Sequence, residues 1–116
     1  MISYSLAKEN LSKFLESSVF HTQISAVRAL AATSFNDRNE LLMAFVVDPK
    51  KNLLARVIAV QMIEEVKATE LRERIASFSP NASTERVGLG ISVMDPRVGT
   101  RTSLKQAIEE LLDHWK

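Results

Sequence analysis

The stretch that decides the fold reads PKKNLLARVIAVQMIEEV and runs from Pro49 to Val66. Ten of the fourteen residues from 53 to 66 are apolar. A helix that is apolar nearly all round is buried on more than one side, and this one is shorter than the roughly 20 residues that span a bilayer. Asp48 suits an N-cap and Pro49 a first helical position. The stretch therefore predicts a central helix that begins at Pro49 and has neighbouring helices on both sides.

Apolar residues also recur at helical spacing before and after this stretch. Two predicted helix starts carry the capping-box pattern, in which each of two residues three apart accepts with its side chain from the other's free backbone N–H. These are Asp37 with Glu40, and Ser103 with Gln106. The spacing predicts five further helices, at about residues 5–18, 22–33, 38–47, 69–78 and 103–116.

Residues 84–94 carry two conflicting signals. Valine, leucine and isoleucine alternate there with glycine and serine, which favours a strand. Two glycines in one helix would also cost about 1 kcal/mol each relative to alanine. A strand, however, has no evident pairing partner elsewhere in the chain, and an internal repeat continues into this segment. Helix is therefore the preferred prediction, and strand is the alternative.

The internal repeat has a period near 30 residues. An arginine is followed three residues later by a small or apolar residue and seven residues later by an apolar one, and the three arginines lie 28 and 30 residues apart. Such a period, made of paired helices, is typical of a helical repeat array. The three trios are Arg28, Ala31 and Phe35; Arg56, Ala59 and Ile63; and Arg86, Leu89 and Val93.

The run from Leu41 to Pro49, followed by Arg56 to Ile63, resembles the HEAT-like repeats of the short bacterial and phage type. The similarity covers roughly residues 8–93, although glycines weaken the match of residues 69–93. It implies an all-α fold, a short α-solenoid of two to three HEAT-like hairpins in a single domain, 1–116, with a C-terminal capping helix. It also implies a protein-binding role.

Both ends of such an array are expected to be closed. The first helix is expected to turn Leu11, Phe14 and Leu15 inward, and the last helix to turn its leucines and Ile108 inward. A terminal unit with a polar outer side does not recruit further units. We therefore expect a monomer or a weak dimer.

Composition narrows the chemistry. The absence of cysteine excludes disulfides, thiolate metal sites and cysteine nucleophiles. No nucleophile elbow, phosphate-binding glycine loop or zinc-protease helix is present. His21 and His114 lie far apart without carboxylates at ligand spacing. We expect no enzyme, no metal site and no cofactor. The start of the chain shows no signal-peptide pattern, so the expected location is the cytoplasm.

Five arginines are the candidate binding residues: Arg28, Arg56, Arg86, Arg97 and Arg101. The first three could form a ladder that grips an acidic partner, but the preferred interpretation is that each pairs with an acid of an adjoining turn, such as Asp48 or Asp37. The other two lie in the loop before the last helix, where a helix N-terminus could hold a phosphate. A plain connector is the preferred interpretation of that loop.

Three functions remain from the sequence. The first is a non-catalytic module of adaptor, immunity or inhibitor type that binds another protein. The second is nucleic-acid binding, which the net charge of +1 and its even distribution disfavour. The third, least favoured, is a HEAT-like lyase or a chaperone for a cofactor.

Overall fold

A computed structural model describes the chain at residues 4–88 and 101–115. This part of the chain is mostly helical, as predicted, and contains one small antiparallel sheet. Single 3-10 turns at Thr69–Leu71 and Ser79–Asn81 flank the fifth helix. The helices are α1 (Tyr4–Leu15), α2 (Phe20–Ala31), α3 (Arg38–Val47), α4 (Leu53–Glu65), α5 (Arg72–Phe78) and α6 (Leu104–His114), and the strands are β1 (Arg86–Gly88) and β2 (Arg101–Ser103).

Helix α4 is the centre of the core, as predicted. It packs against α2, α3 and α6, and it also touches β1. Because neighbours surround it, even its arginine is buried. Its buried residues are Ala55, Arg56, Val57, Ile58, Ala59, Val60 and Ile63.

The helices pack in a regular order around α4. Helix α4 lies between α2 and α6, while α1, α3 and α5 pack against α2, α4 and α6, respectively. Helices α3 and α5 are also joined on the surface, where Arg74 donates from Nη1 to both carboxylate oxygens of Glu40 at 2.6 and 2.7 Å. Of the described residues, none belongs to a helix long and apolar enough to cross a membrane.

The start of the central helix differs from the prediction. Helix α4 begins at Leu53 rather than Pro49, and Asn52 is its N-cap, accepting from the backbone N–H of Ala55 at 3.1 Å. The side chain of Asp48 instead accepts from the N–H of Lys50 at 2.9 Å, which closes a local turn. The turn and the helix compete for the same backbone, and the turn displaces the helix start.

The two predicted capping boxes have different outcomes. Ser103 does cap α6, since its hydroxyl accepts from the N–H of Gln106 at 3.0 Å. The Gln106 side chain, however, donates to Glu110 at 3.3 Å. Asp37 precedes α3 but makes no capping hydrogen bond with its side chain, and Glu40 is engaged by an arginine of α5.

The preference for helix over residues 84–94 is wrong where the structure describes them. Residues 86–88 form β1, which pairs antiparallel with β2, Val87 lying opposite Thr102. The partner strand is the three-residue segment directly before α6, which the sequence pattern marks only as a helix cap. Residues 89–94 lie outside the described part of the chain.

The first and last helices are not equally covered on their apolar sides. In α6, Leu104, Ile108 and Leu111 are fully buried, as predicted. In α1, Leu15 is buried, but Phe14 is 55% exposed. The expectation that the first helix turns all three of its apolar residues inward is therefore wrong for Phe14, because no helix packs over that side of α1 among the described residues.

Replacing Ile58 by Asp should unfold the protein or bring it close to unfolding. Ile58 is 1% exposed at the centre of the core, and an unpaired charge there costs several kcal/mol against a total stability of about 5–15 kcal/mol. Urea denaturation followed by circular dichroism measures the loss. Ala76→Asp, at an exposed position of α5, is the control and should retain the wild-type midpoint within a small shift. A cooperative Ile58→Asp protein of wild-type stability would contradict the central position of α4.

Candidate functional site

The five candidate arginines occupy different environments. Arg28, on α2, and Arg86 and Arg101, on the two strands, are exposed, whereas Arg56 is only 8% exposed. Arg97 lies outside the described residues. The structure thus brings Arg86 and Arg101 together and places Arg56 inside the fold.

Arg56 links two helices of the core. Its Nε donates to the carbonyl of Val46 in the last turn of α3 at 2.8 Å, so it satisfies one of the carbonyls that a helix end leaves without a partner. Burial lowers the pKa of Arg56, and the nearby charge of Asp48 partly offsets this effect. This environment favours a structural role for Arg56. Its hydrogen bond is to the carbonyl of Val46, and Asp48 of the adjoining turn acts on it through its charge.

Arg86 and Arg101 share one face of the small sheet. The register places Arg86 opposite Ser103 and Gly88 opposite Arg101, and residues directly or diagonally opposite in this way point to the same side of a sheet. Nη2 of Arg86 also donates to the backbone carbonyl of Arg101 at 3.4 Å. Two exposed arginines therefore share this face, and Arg101 lies just before the start of α6.

An open groove between α1 and α2 is mainly apolar. We call it the apolar groove, and its volume is about 380 Å³. Alanine and leucine side chains form much of its surface, and Phe14 stands at its edge. Its main lining residues are Leu11, Phe14, His21, Ser25, Ala26 and Ala29.

A second, smaller groove lies between α4 and α6 and is mainly polar. We call it the polar groove, and its volume is about 200 Å³. Its floor contains the buried residues Val60, Thr102 and Ala107. Its walls are Gln61, Glu64, Arg101, Gln106 and Glu110.

An imidazole–carboxylate pair lies beside one end of the polar groove. Nδ1 of His114, at the end of α6, is in hydrogen-bond contact with Oε1 of Glu64 on α4. The hydrogen bond to Glu64 is the largest cause that raises the pKa of His114 above the ordinary value of 6.5, and the charge of Glu64 is the second. The charges of Asp113 and Glu110 act in the same direction. The pair joins the ends of two neighbouring helices.

In the described ranges, no group of three or more histidine, aspartate or glutamate residues is arranged to hold a metal ion.

The sequence pattern does not predict either groove. One feature of the sequence points to the apolar groove: Phe14 is followed by the loop between α1 and α2, which holds a second large apolar residue, Val19. The polar groove has no such feature, because α4 and α6 are about 40 residues apart in the chain.

Comparison with known proteins found no matching family model, no matching curated protein and no matching solved structure.

Replacing Arg56 by Ala should destabilise the protein by about 1–3 kcal/mol. The change leaves the buried carbonyl of Val46 without its donor, and an unsatisfied buried polar group costs about that much. Arg28→Ala is the matched control, because Arg28 stands at the same place in the preceding repeat but is exposed; surface changes usually stay within about 0.5 kcal/mol. Urea titrations of both variants measure the difference. Equal losses would show that Arg56 contributes no more than a surface arginine.

The pair of His114 and Glu64 should stabilise the fold only at low pH. Because the pKa of His114 is raised in the folded state, its contribution is fully present below the ordinary value and is lost as pH rises through the folded value. Wild type should therefore melt above His114→Gln at about pH 5.5 and together with it at about pH 9.

Thermal melts at the two pH values, with an NMR titration of the imidazole, measure both effects. Glu64→Gln keeps the histidine and removes the charged acceptor, so the pKa of His114 should fall towards 6.5 in that variant. An unchanged pKa would show that Glu64 does not cause the shift.

Proposed function

We propose that this chain is a non-catalytic module of adaptor, immunity or inhibitor type, which binds another protein on the surface of a short HEAT-like helical array. The observation that carries the proposal is the apolar groove with Phe14 at its edge. Phe14 and Val19 are two of the three large hydrophobic side chains that are exposed in the described part of the chain, at 55% and 54%. Both lie at the loop end of the hairpin formed by α1 and α2.

The groove suits an apolar side chain of a protein partner. Burying a phenylalanine side chain stabilises a complex by about 1.5–3 kcal/mol, and aromatic residues are enriched at the centres of interfaces. Ala26 and Ala29 keep that side of α2 low, so a partner's backbone can approach closely. An apolar anchor surrounded by polar residues is the usual arrangement of an interaction site.

The proposed scaffold is a short α-solenoid. In its support, α4 packs between α2 and α6. Helices α1, α3 and α5 pack against α2, α4 and α6, respectively. The buried arginine of α4 lies beside Asp48 of the adjoining turn, which is the arrangement that the HEAT resemblance implies. In such an array each hairpin contacts mainly its neighbours, so an end hairpin keeps one face available for a partner.

Nucleic-acid binding is the second candidate, and one observation favours it. Arg86 and Arg101 present two guanidinium groups on one face, as a phosphate backbone requires. Glu64 and Glu110 line the adjoining groove, however, and their charges repel phosphate. The protein-binding proposal is therefore preferred.

Replacing Phe14 by Ser should abolish partner binding and leave folding unchanged. Phe14 is exposed, so its loss should shift the free energy of unfolding by no more than about 0.5 kcal/mol, whereas it removes the apolar anchor. Affinity capture from the native host, followed by calorimetry with the captured protein, measures binding. Val47→Ser is the matched control, since Val47 is the third exposed hydrophobic residue, at 37%, and lies on α3 away from the groove.

A partner retained by wild type and by Val47→Ser, and lost from Phe14→Ser, supports the proposal. A partner retained equally by all three proteins contradicts the role of the apolar groove. Binding of a DNA duplex that weakens steeply with salt, together with no protein partner, would favour the second candidate.

A further inference from the structure

The polar groove has charges of opposite sign at its two ends. Helices α4 and α6 run in the same direction, because the groove joins Val60 to Ala107 and the later residues Glu64 and His114 also meet. Arg101 precedes α6 and therefore lies at the end where that helix begins. Glu64 and Glu110 lie further along both helices, so the other end is acidic.

The basic end can bind a carboxylate. Arg101 lines this end of the groove. Arg86 lies on the same face of the sheet, and its guanidinium donates to the backbone carbonyl of Arg101. A guanidinium group binds a carboxylate through two parallel N–H donors, which is stronger and more specific than a contact to a single charge.

The acidic end can bind an ammonium or a guanidinium group. Glu110 is exposed, and its carboxylate accepts one hydrogen bond, from Gln106 at 3.3 Å. Glu64 is held by His114, so Glu110 is the carboxylate with more remaining acceptor capacity. The floor between the two ends is formed by the buried residues Val60, Thr102 and Ala107, and a bound segment would lie against them.

We propose that the polar groove binds an extended segment of a partner protein that carries an acidic residue at the Arg101 end and a basic residue at the Glu110 end. The inference rests on the proposed protein-binding function and names the chemistry of the partner. Helix α6 rises about 1.5 Å per residue, so Glu110 lies about 9 Å along its axis from Leu104. An extended chain covers that distance in about three residues, and the probe peptide takes this spacing for its acidic and basic residues.

Nuclear magnetic resonance titration of the ¹⁵N-labelled full chain tests the proposal. The probe is the acetylated, amidated peptide Gly-Asp-Gly-Gly-Lys-Gly, whose two charged residues have the required spacing. We expect saturable shifts at residues 60–64 and 101–110. Peptides with Asn in place of Asp, or Gln in place of Lys, should each bind about tenfold more weakly, because each loses one charge-assisted pair.

Charge-reversed variants of the chain locate the contacts. Arg101→Glu should weaken binding of the charged peptide about tenfold or more and should have little effect on the peptide that lacks the aspartate. Glu110→Lys should likewise weaken binding of the charged peptide about tenfold or more and should have little effect on the peptide that lacks the lysine. Arg28→Glu is the matched control, since Arg28 is exposed on α2 outside the groove, and it should bind as wild type does.

The proposal is overturned if no saturable shifts occur, if they map to the apolar groove, or if Arg28→Glu weakens binding as much as Arg101→Glu. It is also overturned if a single-stranded oligonucleotide produces the same shifts and Glu110→Lys strengthens them, which would assign the site to nucleic acid. Failure here leaves the proposed function intact when Phe14→Ser still loses its partner. If Phe14→Ser instead retains the partner while the peptide still binds, the result contradicts only the role proposed for the apolar groove.

Discussion

The burial of helix α4 on nearly all sides is the constraint on which the rest of the structure depends. A side chain on any of its buried faces needs a neighbouring element to cover it, and α2, α3 and α6 supply that cover. Burying apolar surface contributes about 25 cal/mol per Å², so a helix without a polar stripe gains stability only when all three neighbours are present. The fold therefore forms around α4 as one cooperative unit rather than as separate hairpins.

Polar side chains with low exposure connect the loops that this packing brings together. Gln23 is 5% exposed; its amide donates to the carbonyl of Ser17 at 2.6 Å and its oxygen accepts from the N–H of Asn52 at 2.9 Å. One side chain thus joins the loop before α2 to the start of α4. Lys51 similarly donates to the carbonyl of Leu15 at 2.9 Å. These contacts fix the positions of neighbouring hairpins, which apolar packing alone does not specify.

The sequence predicts the helices and the core well, because periodicity reports which face of a helix is buried. It does not report what covers that face: Phe14 belongs to the apolar stripe of α1, yet among the described residues no helix packs over it. The alternation over residues 84–94 favours a strand, yet helix is the preferred prediction there, because the partner strand β2 is only three residues long and has no periodic signal of its own. Helix ends were misplaced where two local hydrogen-bonding options compete, as at Asp48 and Asn52. The end of α4 gives no signal either, since Lys67, not glycine, adopts the positive φ of 59°.

The same physical reason explains why neither groove is readable from the sequence. A groove is formed by positions of two helices that face each other without meeting. Those of the polar groove lie far apart in the chain, and those of the apolar groove belong to two successive helices whose relative placement periodicity does not report. Gln61 and Glu64 illustrate the point, since they are the polar positions of α4 that border α6. Val60 and Ile63, beside them in the chain, are buried and must stay apolar, whereas Gln61 and Glu64 are only partly buried. Such positions contribute little to apolar packing, so their chemistry can be set by the surface contacts that they make, as Glu64 does with His114.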